Sequence, residues 1–245
     1  MKNIVKALAI PVLLASVGAH ADIIGGSVDV SYWLGGYSGQ ATSLTEVIDL
    51  ENDLNFDDGG FLEISASLEH PVPVLPNIRI KHIDLDETEN GSIGATFDGI
   101  AFSTNVETNL DLTHSDIVLY YEILDNYVSV DIGLDVKIFD GKLLIQDKVT
   151  PSLTSSTDID EIVPLLYVAA EVELPLTGLS VGADVSAVSY SGNSLYDAKA
   201  RIRQGFGLAY LELGYRQLSI DIEDVSDIDV DAEISGVYLS TGLDF

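Results

Sequence analysis

The chain of 245 residues contains no cysteine. Disulfide scaffolds, cysteine-ligated zinc and thiol nucleophiles are excluded together. Basic residues are scarce: 11 Lys and Arg stand against 40 Asp and Glu, a formal charge of −29. A phosphate-binding surface needs a basic face, so nucleic acid is excluded as a partner. After the first twenty residues there is no uninterrupted apolar run approaching the roughly 18 residues of a transmembrane helix. A disordered polyanion does not fit either, because 47% of the residues are hydrophobic and 11 are Tyr.

The N-terminus has its own pattern. Lys2 and Lys6 precede an apolar run from Ala7 to Ala19, and Ala19-His20-Ala21 is a small-x-small cleavage pattern. That order predicts a secretory signal peptide over 1–21 and a single domain over 22–245.

The remainder alternates. Val128, Val130, Ile132, Leu134, Val136 and Ile138 share one face; Ser129, Asp131, Gly133, Asp135, Lys137 and Phe139 share the other. Period two over about eleven residues matches a tilted membrane-spanning strand, whereas soluble strands average about five or six. The rhythm recurs at Leu62–Glu69, Asp116–Ile123, Leu179–Ala187 and Tyr196–Arg203. The second face is small or charged in each case, which suits a barrel lumen better than an oily core. Ten strands are expected, near 26–37, 61–70, 77–87, 110–124, 127–139, 160–174, 178–190, 195–205, 208–222 and 230–245, with eight as the alternative count. A phase shift at His82 predicts a bulge there. Short turns at Asp125-Asn126, Pro175–Gly178 and around Gly205–Gly207 alternate with long acidic loops at 38–60, 88–109, 140–158 and 223–229. The predicted fold is all-β: a transmembrane antiparallel up-and-down β-barrel with short periplasmic turns and long outer loops.

Two features carry a resemblance. Val237, Leu239, Thr241, Leu243 and the terminal Phe245 share one face. They resemble the C-terminal strand of bacterial outer-membrane proteins, which implies the barrel-assembly machinery as a partner. The run from Glu69 to Asn77 with Pro71, Pro73 and Pro76, together with Asp49–Leu54 and Gly214-Tyr215-Arg216, is similar to a family of small outer-membrane β-barrel proteins of Gram-negative, often marine, bacteria. That family has no assigned activity, so the resemblance implies a fold and the outer membrane as location. The prolines read as a rigid turn, since Pro presets φ and lacks an N–H.

Chemistry is sparse. There is no phosphate-cradling loop, metalloprotease His pair or G-x-S-x-G elbow. Ten-stranded barrels include the omptin proteases, and His82 with Asp84 and Asp86 is the local arrangement most like theirs. With 40 acids in the chain, a His two residues from an Asp is expected by chance. His70 abuts the proline turn, and His114 lies near a strand end. Asp221, Glu223, Asp224, Asp227, Asp229, Asp231 and Glu233 crowd one hairpin, and Asp53, Asp57 and Asp58 another loop. Neither run has EF-hand spacing. They read as a solvated surface attracting divalent cations. Lys199, Arg201 and Arg203 share an inward face and are expected to pair with Asp131, Asp135 and Asp184.

The expectation is a monomeric, non-enzymatic outer-membrane barrel embedded in the lipid bilayer. Its acidic outer loops meet cations, lipopolysaccharide or an external partner. A narrow solute channel and an omptin-like surface hydrolase are the alternatives. No catalytic residue or cofactor is assigned, and bound metal is left open. Epitope tags inserted at Asn52 or Asn90 should be accessible on intact cells, and one at Asn126 should not. The opposite labelling would invert the topology.

Overall fold

The computed structural model describes residues 24–43, 46–72, 74–94, 96–97, 99–102, 105–225 and 228–245. The expected signal peptide, Pro73 and Asp227 lie outside the described residues, and the side chains of 223–228 are not described.

Ten long strands follow the chain: β1 (Gly25–Ser43), β2 (Asp58–Glu69), β3 (Asn77–Asp84), β4 (His114–Asp125), β5 (Val128–Phe139), β6 (Ile162–Leu174), β7 (Leu179–Tyr190), β8 (Asn193–Phe206), β9 (Ala209–Val225) and β10 (Ile228–Asp244). Each pairs antiparallel with its successor, and β10 returns to β1 from Ser27↔Asp244 to Ser43↔Ile228. Closure leaves no lateral edge for another chain to extend. Gly26 and Phe245 exchange two backbone hydrogen bonds at the seam, at 2.8 and 2.9 Å. The ten strands match the expected count, and the eight-stranded alternative does not hold. Turns at one end are tight. Gly207 between β8 and β9 takes φ +74°, a left-handed conformation that glycine adopts without Cβ strain.

At the opposite end the expected loops contain further strands. Asp86–Gly91, Val106–Asp111, Gly141–Asp147 and Thr154–Ile159 form a second, four-stranded antiparallel sheet. Within the 88–109 and 140–158 segments, two antiparallel strand pairs therefore lie side by side, through Val106–Asp111 against Gly141–Asp147. Glu46–Asp49 adds a short strand on Gln40–Ser43. The expected 223–229 loop shrinks to a hairpin tip, since β9 runs to Val225 and β10 begins at Ile228. We call this assembly the head.

The alternation inverts part-way up the barrel. Leu211, Leu213 and Tyr215 of β9 point outward and are exposed, whereas Leu218 and Ile220, higher on the same strand, point inward and are buried. In β10, Val237, Leu239 and Leu243 face out, while Ala232 and Ile234 face in. In β3, Ile80 faces out, while Ile83 and the following Leu85 face in. Below the inversion the apolar face meets lipid and the polar face lines the lumen. Above it the outside meets water, so the apolar side chains turn inward beneath the head. There Trp33, Tyr37, Phe56 and Phe61 stack edge-to-face or tilted, with centroids 5.2 to 6.0 Å apart. Such rings contribute about 1.5–3 kcal/mol each by burial. The lumen is thus not polar throughout, as the lower strands taken alone imply.

This inversion also corrects the expected bulge at His82. Pairing of β3 with β2 runs unbroken from Leu68↔Ile78 to Leu62↔Asp84. The phase shift in sequence is the change of environment, from a charged lumen at Arg79 and Lys81 to an apolar one at Ile83 and Leu85. Register shifts occur instead at Val130/Asp131 and Ile222/Val225. Near the top of β1, Gly39 has φ +114°, and a Cβ there would lie 2.0 Å from the Asp231 carbonyl oxygen. The β1–β10 seam can close at that point only around glycine.

The inversion predicts opposite tolerances on one face of β9. Leu213→Arg, within the lipid belt, should cost about 2–4 kcal/mol in urea-unfolding equilibria from lipid vesicles. Ser219→Arg, six residues further up the same outward face, should cost close to nothing.

Candidate functional site: the charged lumen

The charged side chains of the lower lumen are placed by strand phase. Glu63 of β2 lies between the outward Leu62 and Ile64, and Asp197 of β8 between Tyr196 and Ala198, so each points inward. The same rule turns Lys81, Asp116, Asp135, Lys137, Lys199 and Arg216 into the lumen. Unpaired, they would be costly in a narrow, water-poor interior. They are paired. Lys137 Nζ donates to both oxygens of Asp116 at 2.9 Å and to Asp197 Oδ2 at 3.1 Å. Arg216 grips Asp197 with two nitrogens at 2.9 and 2.6 Å, and its Nη1 reaches Glu63 at 2.8 Å. Lys199 donates to Glu63 at 2.6 Å, and Lys81 lies 3.0 Å from Asp116 and 4.0 Å from Asp135. Ser186 donates to Asp135 at 2.6 Å. Lys81, Lys137, Lys199 and Arg216 balance Glu63, Asp116, Asp135 and Asp197. The Arg216 guanidinium also lies 4.7 Å from the centre of the Trp33 ring, joining this layer to the aromatic core above it.

Below, the lumen opens into a cavity of about 580 Å³. Asn126, Leu208 and Phe245 flank its mouth, at the end with the short turns. Arg201 lies 2.5 Å from Asp184 and 3.0 Å from Glu171, and Arg203 donates to Glu212 at 2.9 Å. The expected inward face of Lys199, Arg201 and Arg203 is present, and so is the pairing with Asp184. Asp131 and Asp135 do not pair with these three. Asp135 serves Lys81 and Ser186, and Asp131 lines the cavity. The partners that sequence reasoning missed are Glu63, Glu171, Glu212 and Asp244, the last 3.7 Å from Arg203. Their signal was visible as single acids within the polar phase of a strand, but the pairing follows from the tilt of the closed barrel.

His114, Asp116 and Asp197 each offer a donor atom within 4.8 Å of the others. The Lys137 ammonium already bridges both carboxylates, so this layer carries its own cation. His114 Nδ1 is 2.7 Å from the Leu112 carbonyl oxygen, and its ring packs on Phe139. His70 stays in the proline turn, 3.2 Å from the Pro76 carbonyl oxygen. Of the outer acids, Asp49 is held below the usual carboxylate range by the Asn52 backbone and side-chain N–H groups. Partial burial, with Glu89 and Asp86 alongside, pushes Glu87 up.

No family model matches the chain, and no curated protein matches it. Among solved structures it is similar to the outer membrane protease OmpT from Escherichia coli, with a TM-score of 0.59 over 94% of this chain and 99% of that one, at 6% identity. The fold is that of a Gram-negative outer-membrane β-barrel. More distant alignments join the barrel to the Pseudomonas putida toluene transporter TodX (TM-score 0.36, 8% identity, 92% and 90% of the chains) and to Ail, the attachment invasion locus protein of Yersinia pestis (TM-score 0.36, 10% identity, 91% and 100%). At such identity the likeness to OmpT is one of fold alone. His82, whose spacing to Asp84 and Asp86 is the local arrangement most like that of the omptins, takes part in a cross-strand pair. His82 Nδ1 lies 2.9 Å from Ser115 Oγ. The same outward row holds Ile64 and Ile138, so the pair sits at the edge of the apolar belt.

The two charge layers should respond differently to truncation. The Arg216 side chain is 2% exposed and that of Arg203 is 27% exposed. Arg216→Met should cost about 3–5 kcal/mol by stranding buried carboxylates. Arg203→Met, at the wetter mouth, should cost about 1 kcal/mol or less. Urea unfolding followed by fluorescence of Trp33, the single tryptophan, measures both.

Proposed function

We propose that the barrel is a non-enzymatic surface protein of the outer membrane, closed to solutes, that presents an ordered acidic head to the medium. The observation that carries this reading is the roof of the lumen. The buried layer of Lys137, Asp116, Asp197 and Arg216 spans the interior, and the Trp33–Phe61 core lies directly above it. An aqueous channel needs neither a neutralised charge layer nor an aromatic plug, and channels belong to wider barrels.

The partner chemistry follows from charge segregation. Arg79, Lys81, Lys137, Lys199, Arg201, Arg203 and Arg216 point into the lumen, leaving Lys142 and Lys148 in the outer hairpins. The outer surface instead carries Glu51, Asp57, Asp58, Asp84, Asp160, Glu161 and Asp231, all exposed. Such a surface attracts cations. It meets the phosphates of lipopolysaccharide through divalent ions, for which carboxylate oxygens are suitable ligands.

In planar bilayers the refolded protein should show no discrete conductance, and calcium titration should give heats that fall when Asp57 and Asp58 are both changed to Asn. Steady conductance whose ion preference reverses in Arg201→Glu would replace this reading with a channel.

A further inference from the structure

Arg79 stands apart from the other lumenal cations. Lys81, Lys137, Lys199, Arg201, Arg203 and Arg216 each have a carboxylate at ion-pair distance, and Arg79 has none among the described residues. Its Nη1 donates to the Tyr167 hydroxyl at 3.2 Å, and its guanidinium lies 5.4 Å from the centre of the Tyr120 ring. A guanidinium carries five N–H donors in a planar fork, so most of this one is uncommitted on the wall of the 580 Å³ cavity.

The same wall holds carboxylates that, among the described residues, form no direct ion pair with Lys or Arg. Tyr120 donates its hydroxyl to Glu69 at 2.8 Å, and Asn77 donates to Glu122 at 3.3 Å. Asp131 sits opposite Glu122 across the β4–β5 ladder. None of the three is at ion-pair distance from Lys or Arg among the described residues. A guest that is only anionic meets this surplus of negative charge. A guest that is only cationic leaves the arginine fork unused. The volume lies within the roughly 300–1,000 Å³ of small-molecule sites, and the cavity opens at the periplasmic end.

We propose that this cavity is a periplasm-facing binding site for basic amino-acid ends: an α-carboxylate held by Arg79, with the cationic side chain among Glu69, Glu122 and Asp131. A planar carboxylate matches the arginine fork bidentately, flanked by Tyr120 and Tyr167. The site lies on the opposite side of the lumenal charge layer from the acidic head, so it stands or falls independently of the head's role.

Titration calorimetry on the full mature chain refolded in detergent tests it with L-arginine, agmatine (the same cation without the carboxylate), L-glutamate and the tripeptide Gly-Gly-Arg. Arginine should bind about tenfold more tightly than agmatine, the scale of one charge-assisted pair. Glutamate should give no heat. Arg79→Gln should lower arginine to the agmatine level and leave agmatine unchanged, while Asp131→Asn should weaken both. The tighter of arginine and the tripeptide identifies the source as free amino acid or peptide end. Equal binding of arginine and agmatine by the unmodified protein overturns the proposal without reliance on any variant. So does the absence of binding, or unchanged arginine affinity in an Arg79→Gln protein that keeps heat-modifiable gel migration.

Discussion

Charge in the lumen has little bulk water to turn to, and the rest of the structure is organised around that fact. Arg216 cannot point inward unless Asp197 and Glu63 meet it, and they come from β8 and β2 on either side of the barrel seam. Lys137 likewise needs Asp116 and Asp197. Two of these pairs, Arg216–Glu63 between β9 and β2 and Lys137–Asp197 between β5 and β8, tie strands that are not neighbours in the ladder. Their net value over an apolar filling need be small. Their cost when mismatched is large, which disfavours an altered strand register.

The same constraint explains why the barrel changes character along its axis. Lipid outside and paired charge inside is one stable solution; water outside and aromatic packing inside is another. The strands are long enough to pass through both, and β9 and β10 each span 17 residues. The upper half resembles a small soluble β-domain, with the hairpins of the second sheet supplying Val106, Leu110 and Ile145 to the core it shares with Trp33 and Phe61. Arg216 sits at the boundary, with its charge in the lower layer and its face on Trp33. The head is thus part of one continuous interior rather than a set of mobile loops, and this turns a row of acidic segments into an ordered surface.

Much of this was legible in the residues. Strand positions, short turns and the inward phase of Lys199, Arg201 and Arg203 follow from period two and turn chemistry. The phase shift at His82 is legible too, but on one strand it reads as a bulge. A single strand with an inverted pattern is ambiguous, whereas the same inversion in β3, β9 and β10 points to a change of surroundings along the barrel. The strands within 88–109 and 140–158 are not legible, because each strand pair needs the other to cover its apolar side.

By itself the sequence determined which residues form the ten barrel strands, which face most of their side chains take and where the barrel hairpins reverse. These are local properties, set by alternation along a pleated backbone and by glycine and proline at the turns. Only the tertiary structure decided which carboxylate meets which cation. Glu63 and Arg216 are 153 positions apart, and Lys137 and Asp197 are 60. Strand tilt and closure set those meetings, and they alone left Arg79 facing a cavity with no carboxylate at ion-pair distance among the described residues.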